Sequence, residues 1–271
     1  MAYTAIQSAT LPPTLRPTQP EVLPLTPPTT LRDYLDSIHD PRDLPCCFLR
    51  LTEARMRDWG VTLYLHRDFQ RLVDINQANQ GHKWFGLMPM FHPATYRGGE
   101  AFWLEGQATG TSETVMTVAA RRYNLWDRSL QQALSSLEFY YDDPTSSKSQ
   151  GEACACSVPS ASLLSGVITY SGAGWARVDW RGRGAAAILA RLSSILGQTL
   201  WDQDYTVSLV DPVLIEKGVV RSYGYRRAEP GVHWINSSSQ GSIDLALVWM
   251  TRTELLQDLA RCMALGEAIP A

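Results

Sequence analysis

The sequence predicts an α/β protein of the α+β kind, built on a mixed, mostly antiparallel central sheet flanked by helices. Three observations predict it. Strand-like runs come in pairs around tight turns at residues 101–120 and again at residues 223–249, the pattern of antiparallel hairpins. Between them lies a strand, glycine turn, helix, strand unit at residues 164–210. The 271 residues are 45% hydrophobic and 10% aromatic, enough apolar surface for one substantial core.

Taken in order, residues 1–30 carry Pro12-Pro13, Pro17, Pro20, Pro24 and Pro27-Pro28. Ring-locked φ and missing donors make this an extended arm outside the core. Residues 31–271 read as a single domain, with an accessory helical region at 31–60, a core at 61–250 and a C-terminal helix at 251–264. Leu31, Tyr34, Leu35 and Ile38 recur at helical spacing until Asp40-Pro41 ends the run. Residues 61–66 alternate as a strand, and Asp68 is placed to cap a helix carrying Phe69, Leu72 and Val73. Residues 83–91 are apolar and aromatic but broken by Gly86 and Pro89, which suits a loop or pocket wall.

The hairpin at 101–120 follows, with Arg121-Arg122 read as a solvated pair at its end. Leu125, Leu130, Ala133, Leu134 and Leu137 mark a helix, and residues 146–152 a polar loop. Residues 164–178 are strand-like but interrupted by Ser171-Gly172-Ala173-Gly174, a signal for a bulge or a close backbone approach. In the next helix Ala185, Ile188, Leu189, Leu192, Ile195, Leu196 and Leu200 share one face, and Arg191, Ser194 and Gln198 fall on the other. Residues 205–210 form a strand ending at Asp211-Pro212. Thr251-x-x-Glu254 is a capping box for the last helix.

Charge and cysteine usage exclude some functions. The 24 Lys and Arg against 27 Asp and Glu leave a net charge of −3, which favours neither nucleic acid nor an anionic membrane. No apolar run approaches the ~20 residues of a membrane helix, and the start lacks a basic, apolar-centred secretion signal. A cytoplasmic location is expected. The five cysteines are odd in number and lack zinc spacing, so free thiols and no metal are expected. A G-x-S-x-G elbow and a P-loop are both missing from the sequence. The tryptophans, among them Trp84, Trp103, Trp175, Trp180 and Trp234, read as core in preference to an acceptor pocket.

The chemistry concentrates at Arg181-Gly182-Arg183-Gly184-Ala185-Ala186-Ala187. A helix start presents amide hydrogens without intrahelical partners, and its dipole favours an anion there. Small residues let a phosphate approach those amides, while Arg181 and Arg183 can add charge-assisted contacts. Gly182-x-Gly184-x-x-Ala187 also satisfies the dinucleotide fingerprint, with Asp211 as a ribose-binding acid. An NAD(P)-binding enzyme is therefore one reading. Against it, about 60 residues remain after Asp211, too few for several more βα units.

Arg181-x-x-Gly184-x-Ala186 is similar to Q/R-x-x-G-x-G/A, the acyl-CoA pyrophosphate signature of the GCN5-related N-acetyltransferase (GNAT) superfamily. The preceding strand residues Trp175-Ala176-Arg177-Val178, a helix beginning near Asp211, and the Gly224-Tyr225 pair fit the same resemblance. It covers residues 165–227 firmly and 61–165 more loosely, and leaves out the arm. The resemblance implies splayed central strands, acetyl-CoA as co-substrate, and direct transfer to a small-molecule or peptide amine. Gly174, Trp175 and Ala176 would line the pantetheine arm. Arg181, Gly182, Arg183, Gly184, Ala185, Ala186 and Ala187 would hold the pyrophosphate.

Many members place a tyrosine four residues before the Gly-aromatic pair, as the acid for the leaving thiolate. Here that position is Val220. Tyr223 is the nearest substitute, and Asp179 and Glu216 are the candidate bases. The departure at Val220 sustains a third reading, a non-catalytic acyl-CoA binder or interaction protein. Acceptor, acyl length and oligomeric state stay open at this point.

Overall fold

The computed structural model describes residues 28–38, 42–82, 84, 86–95 and 101–264. The N-terminal stretch opens with β1 (Thr29–Thr30), α1 (Leu31–Asp36), α2 (Leu44–Asp58), β2 (Val61–His66) and α3 (Phe69–Asn79). The middle carries β3 (Ala101–Ala108), β4 (Thr114–Leu125), α4 (Leu130–Ser135), α5 (Thr145–Ser149) and β5 (Ala153–Cys156). Then come β6 (Gly166–Ala176), α6 (Ala185–Trp201), β7 (Tyr205–Val210), α7 (Pro212–Glu216) and α8 (Val219–Ser222). The chain closes with β8 (Arg227–Ser237), β9 (Gly241–Thr251) and α9 (Arg252–Ala264).

All described strands join one sheet in the order β1-β2-β3-β4-β6-β7-β9-β8-β5. Only β6 and β7 pair in parallel; the other described pairs are antiparallel. The crossover between the two parallel strands is α6, because a parallel pair cannot be closed by a tight turn. The predicted mixed, mostly antiparallel sheet is what the chain builds. Thr29 and Thr30, the end of the predicted arm, pair with Leu65 and Tyr64 instead of standing apart, and Thr30 caps α1. Residues 1–27, and the Asp40-Pro41 stop, lie outside the described residues.

The sheet separates two apolar cores. One contains residues of α1, α2, α6 and α9, including Leu49, Leu192, Leu196 and Leu259. The 31–60 region is thus packed into the main core. The other lies under α3, α4 and the 84–91 segment, with Phe91, Trp103, Tyr140 and Trp234 at its centre. Alternation along each strand decides which face a residue serves. On β9, Ala246, Val248 and Met250 enter the α6-side core, while Leu245 and Leu247 enter the other.

Several local expectations are corrected. The supposed polar face of α6 is buried: Arg191 is 3% exposed, Ser194 1% and Gln198 9%, because α2 and α9 cover what the sheet does not. Arg121 is not a solvated strand end. It lies within β4, buried, paired to Asp142 and stacked over Tyr123. Leu125 belongs to β4, and the helix it was expected to start is the short α4, capped by Ser129 and Gln132. The polar loop at 146–152 contains α5, and Glu152 is buried beneath it, accepting from Tyr141 and Trp234. The C-terminal capping box forms as expected between Thr251 and Glu254.

Candidate active site

The site is made where β6 and β7 part. They pair only at Ile168, Thr169 and Tyr170, against Tyr205, Thr206 and Val207. Past Tyr170, β6 stays with β4 and β7 stays with β9, so a gap opens between two strands each held on its far side. A bulge sharpens the divergence. Ala173 and Gly174 together oppose Val118, and Ala173 adopts φ +50°, a left-handed conformation costing an alanine about 1–2 kcal/mol. The Thr117 hydroxyl donates to the Ala173 carbonyl at 3.0 Å and secures it.

The gap holds a cavity of about 830 Å³. Its walls draw on both cores: Ala176, Leu189, Val210 and Tyr225 from the α6 side, Trp84, Leu87, Trp175 and Leu245 from the other. The cavity therefore crosses the sheet from one face to the other. At its α6 end the chain turns through Gly182 and Gly184, both at φ +77°, a region closed to most side chains. Gly184 is the N-cap residue of α6, and no side chain caps it. Ala185 and Ala187 turn their methyl groups into the core, and Ala186 stands on the cavity wall. Arg181 lines the same end, with its Nε donating to the Ala176 carbonyl at 2.7 Å.

Neither a family model nor a curated protein matches the sequence. Among solved structures the backbone is similar to Arabidopsis thaliana NAA60 in complex with acetyl-CoA, at TM-score 0.44 and 16% identity over 71% of this chain and 99% of that one. It is similar to aminoglycoside acetyltransferase AAC(6')-Ib with coenzyme A and kanamycin, at TM-score 0.43 and 11% identity over 73% and 98%. Mycobacterium smegmatis RimJ with CoA-disulfide follows at TM-score 0.39 and 16% identity over 76% and 90%. The mixed, mostly antiparallel sheet and its parted central pair match what the sequence resemblance implies. The expected fold is the observed one.

The predicted site residues divide. Gly174, Trp175, Ala176, Arg181, Ala186 and Tyr223 all line the cavity. Gly182, Arg183 and Gly184 form the turn at its α6 end, where the Arg183 guanidinium lies over the Trp180 ring. Asp179 does not reach the cavity. It is exposed and gripped by Arg177, whose hydrogen bonds hold its carboxyl below the usual range. Glu216 is exposed at the end of α7, also off the cavity wall. Val220 is buried in the core at 3% exposure, so position 220 contributes packing. Tyr223 is half-buried, and burial pushes its phenol above the ordinary value.

Further residues at the site were given no site role from sequence, Tyr225 entering only as part of a motif and Trp84 only as core. Tyr225 lines the cavity beside Tyr223, with burial pushing its phenol well up against the opposing influence of the Ser194 hydroxyl. Trp84 stacks on Trp175 with centroids 4.9 Å apart, and both tryptophans belong to the core, as read, while also lining the cavity. Trp103 and Trp234 are core, as read. Arg191 is the other omission. Its Nε donates to Asp258 at 2.7 Å and its NH1 to the Ser222 carbonyl at 2.6 Å, next to Tyr223. A basic residue nearly two turns into an amphipathic helix gives no local signal of that.

Proposed function

We propose that the protein transfers an acyl group, most simply acetyl, from coenzyme A to an amine that enters from the opposite face of the sheet. The observation that carries this reading is the cavity through the parted β6–β7 pair, with uncapped helix amides at one end of it. The amides of Ala185, Ala186 and Ala187 and the charge of Arg181 would hold a diphosphate. From Ser171 onward, the edge of β6 that faces the gap has lost its β7 partner, and its backbone groups can pair with the pantetheine arm. An amide of the bulged stretch at Ala173 and Gly174 would polarise the thioester carbonyl.

The chemistry then balances with few groups. The amine nitrogen forms a bond to the thioester carbon, the carbon–sulfur bond breaks, and the sulfur leaves with the electron pair. Tyr223 would give that sulfur a proton and recover one released by the nitrogen. Its raised pKa keeps the phenol protonated through neutral pH, the form an acid needs. Asp179 and Glu216 stand off the cavity wall and have no part in this scheme.

Acetyl-CoA should raise the melting temperature, and NAD and NADP should not, because only a ligand of the folded state stabilises it. Stabilisation by NAD alone would replace this reading with the dinucleotide one. Thiol release with an amine panel then separates an enzyme from a binder. Tyr223→Phe should lower kcat about tenfold or more while KM for acetyl-CoA stays put. Full turnover by that variant would remove the acid role.

A further inference from the structure

The two ends of the cavity differ in charge. Its charged wall residues among those described are Arg181, Asp211 and Asp244. Arg181 lies against Ala176 and Asp244 shares a strand face with Ala246, both on the α6 side, while Asp211 stands at the end of β7 with its carboxylate taken up by the Val213 amide as the cap of α7. The wall on the other face is made by Trp84, Trp175, Leu87, Met88, Ile243 and Leu245. Two pairs of its polar groups are engaged with one another, while the buried Trp175 indole N–H has no protein partner among the described residues and offers a donor but no counter-charge. The Tyr170 hydroxyl donates to Met88 Sδ at 3.0 Å, and the Gln240 amide donates to the Gly86 carbonyl at 2.7 Å. The latter bond ties the β8–β9 turn to the 84–88 segment and closes one side of the chamber.

Such a chamber selects its occupant. An ammonium group entering it loses water without gaining a counter-charge from the described wall, so its pKa falls and the neutral nucleophile forms there. That supplies the attacking amine without a carboxylate base, in keeping with Asp179 and Glu216 standing elsewhere. A molecule with several ammonium groups meets the same desolvation repeatedly with no partner. An apolar ring, by contrast, gains contact with the stacked tryptophans.

Taking acyl transfer as the reaction, we propose that the acceptor is a small monoamine carried on an apolar, ring-bearing group, of the arylalkylamine type, seated against Trp84 and Trp175. A long acyl chain has the same apolar chemistry, and the experiment separates the two. Thiol release by the full chain is measured with phenethylamine, tryptamine, spermidine and kanamycin, each with acetyl-CoA and with decanoyl-CoA. The expected result is kcat/KM about 100-fold higher for the aryl amines than for the polycations, with acetyl-CoA as good a donor as decanoyl-CoA. Trp84→Ala should raise KM for tryptamine about tenfold and leave KM for acetyl-CoA unchanged.

Ile243 is only partly buried, so Ile243→Glu tests the same wall if the tryptophan variant does not fold. It should reverse the preference toward spermidine. Polycations turned over as well as aryl amines, or a preference untouched by both variants, would overturn the proposal. So would turnover that requires decanoyl-CoA and ignores the amine. Thioester binding with no thiol release from any amine defeats acyl transfer itself, and the acceptor proposal falls with it.

Discussion

Glu105 and Asp258 are both buried carboxylates answered by arginine, yet they act on different parts of the molecule. Glu105 sits in β3 and is fully buried. It accepts from Arg71 at 2.8 and 3.0 Å, lies 3.0 Å from His66 Nε2, and takes the Thr114 hydroxyl. Burial alone would raise its pKa, but these hydrogen bonds outweigh it and hold the carboxyl at about 2. The network fastens α3 to the sheet, and none of its members lines the large cavity. Asp258, on α9, instead receives Arg191 and Arg261. Through Arg191 it fixes the Ser222 carbonyl, and its own Oδ2 lies 2.7 Å from where a Cβ on Gly224 would be. The pair therefore grips the turn carrying Tyr223 and Tyr225 into the cavity. Similar ion pairs stabilise in one place and position in the other.

The largest effect should come from Asp258→Ala. It leaves Arg191 charged and buried at the centre of the α6-side core, which costs about 3–5 kcal/mol. Denaturant unfolding should show that loss, and the folded fraction should show a fall in kcat beyond it as the Tyr223 turn slackens. An Asp258→Ala protein with wild-type stability would break the comparison at its stronger end.

Glu105→Gln should cost less, because Arg71 is half-exposed and can rehydrate. The pH dependence is specific. A carboxylate held at about 2 in the folded state contributes stability that is complete above its unfolded value near 4.5, and loses it as pH falls toward 2. The contribution is on the order of 3 kcal/mol at neutral pH. The stability gap between wild type and Glu105→Gln should therefore be widest near pH 7 and shrink between about pH 5 and pH 2. Acetyl-CoA affinity should be the same in both. A gap that is constant with pH, or an affinity loss, would show that the two networks are not separate.

The contrast also explains what the sequence could disclose. The turn entering α6 was legible because a left-handed backbone nearly demands glycine, and Gly182 and Gly184 announce it locally. Hairpins were legible through alternation over a few residues. Arg191 was misread because a charged residue opposite a leucine stripe looks solvated, while its partner Asp258 is 67 residues away. Arg121 was misread for the same reason, since its partner Asp142 lies beyond the strand. Trp84 sits in an irregular segment with no period, so its stacking on Trp175 depends on a contact 91 residues distant that nothing nearby encodes.

The smallest effect on stability, and the sharpest test of the cavity, comes from a matched pair of glycines. Gly60 and Gly184 adopt nearly the same left-handed φ, +76° and +77°. Replacing either by alanine imposes similar backbone strain, about 1 kcal/mol, and both variants should melt slightly early by a like amount. Only Gly184 adjoins the helix amides that the acyl-CoA reading assigns to the diphosphate. Calorimetric titration should find acetyl-CoA affinity reduced about tenfold or more in Gly184→Ala and unaltered in Gly60→Ala. Equal affinities in the two variants would mean that the start of α6 serves only as a chain turn, and the diphosphate would have to be sought elsewhere along the cavity.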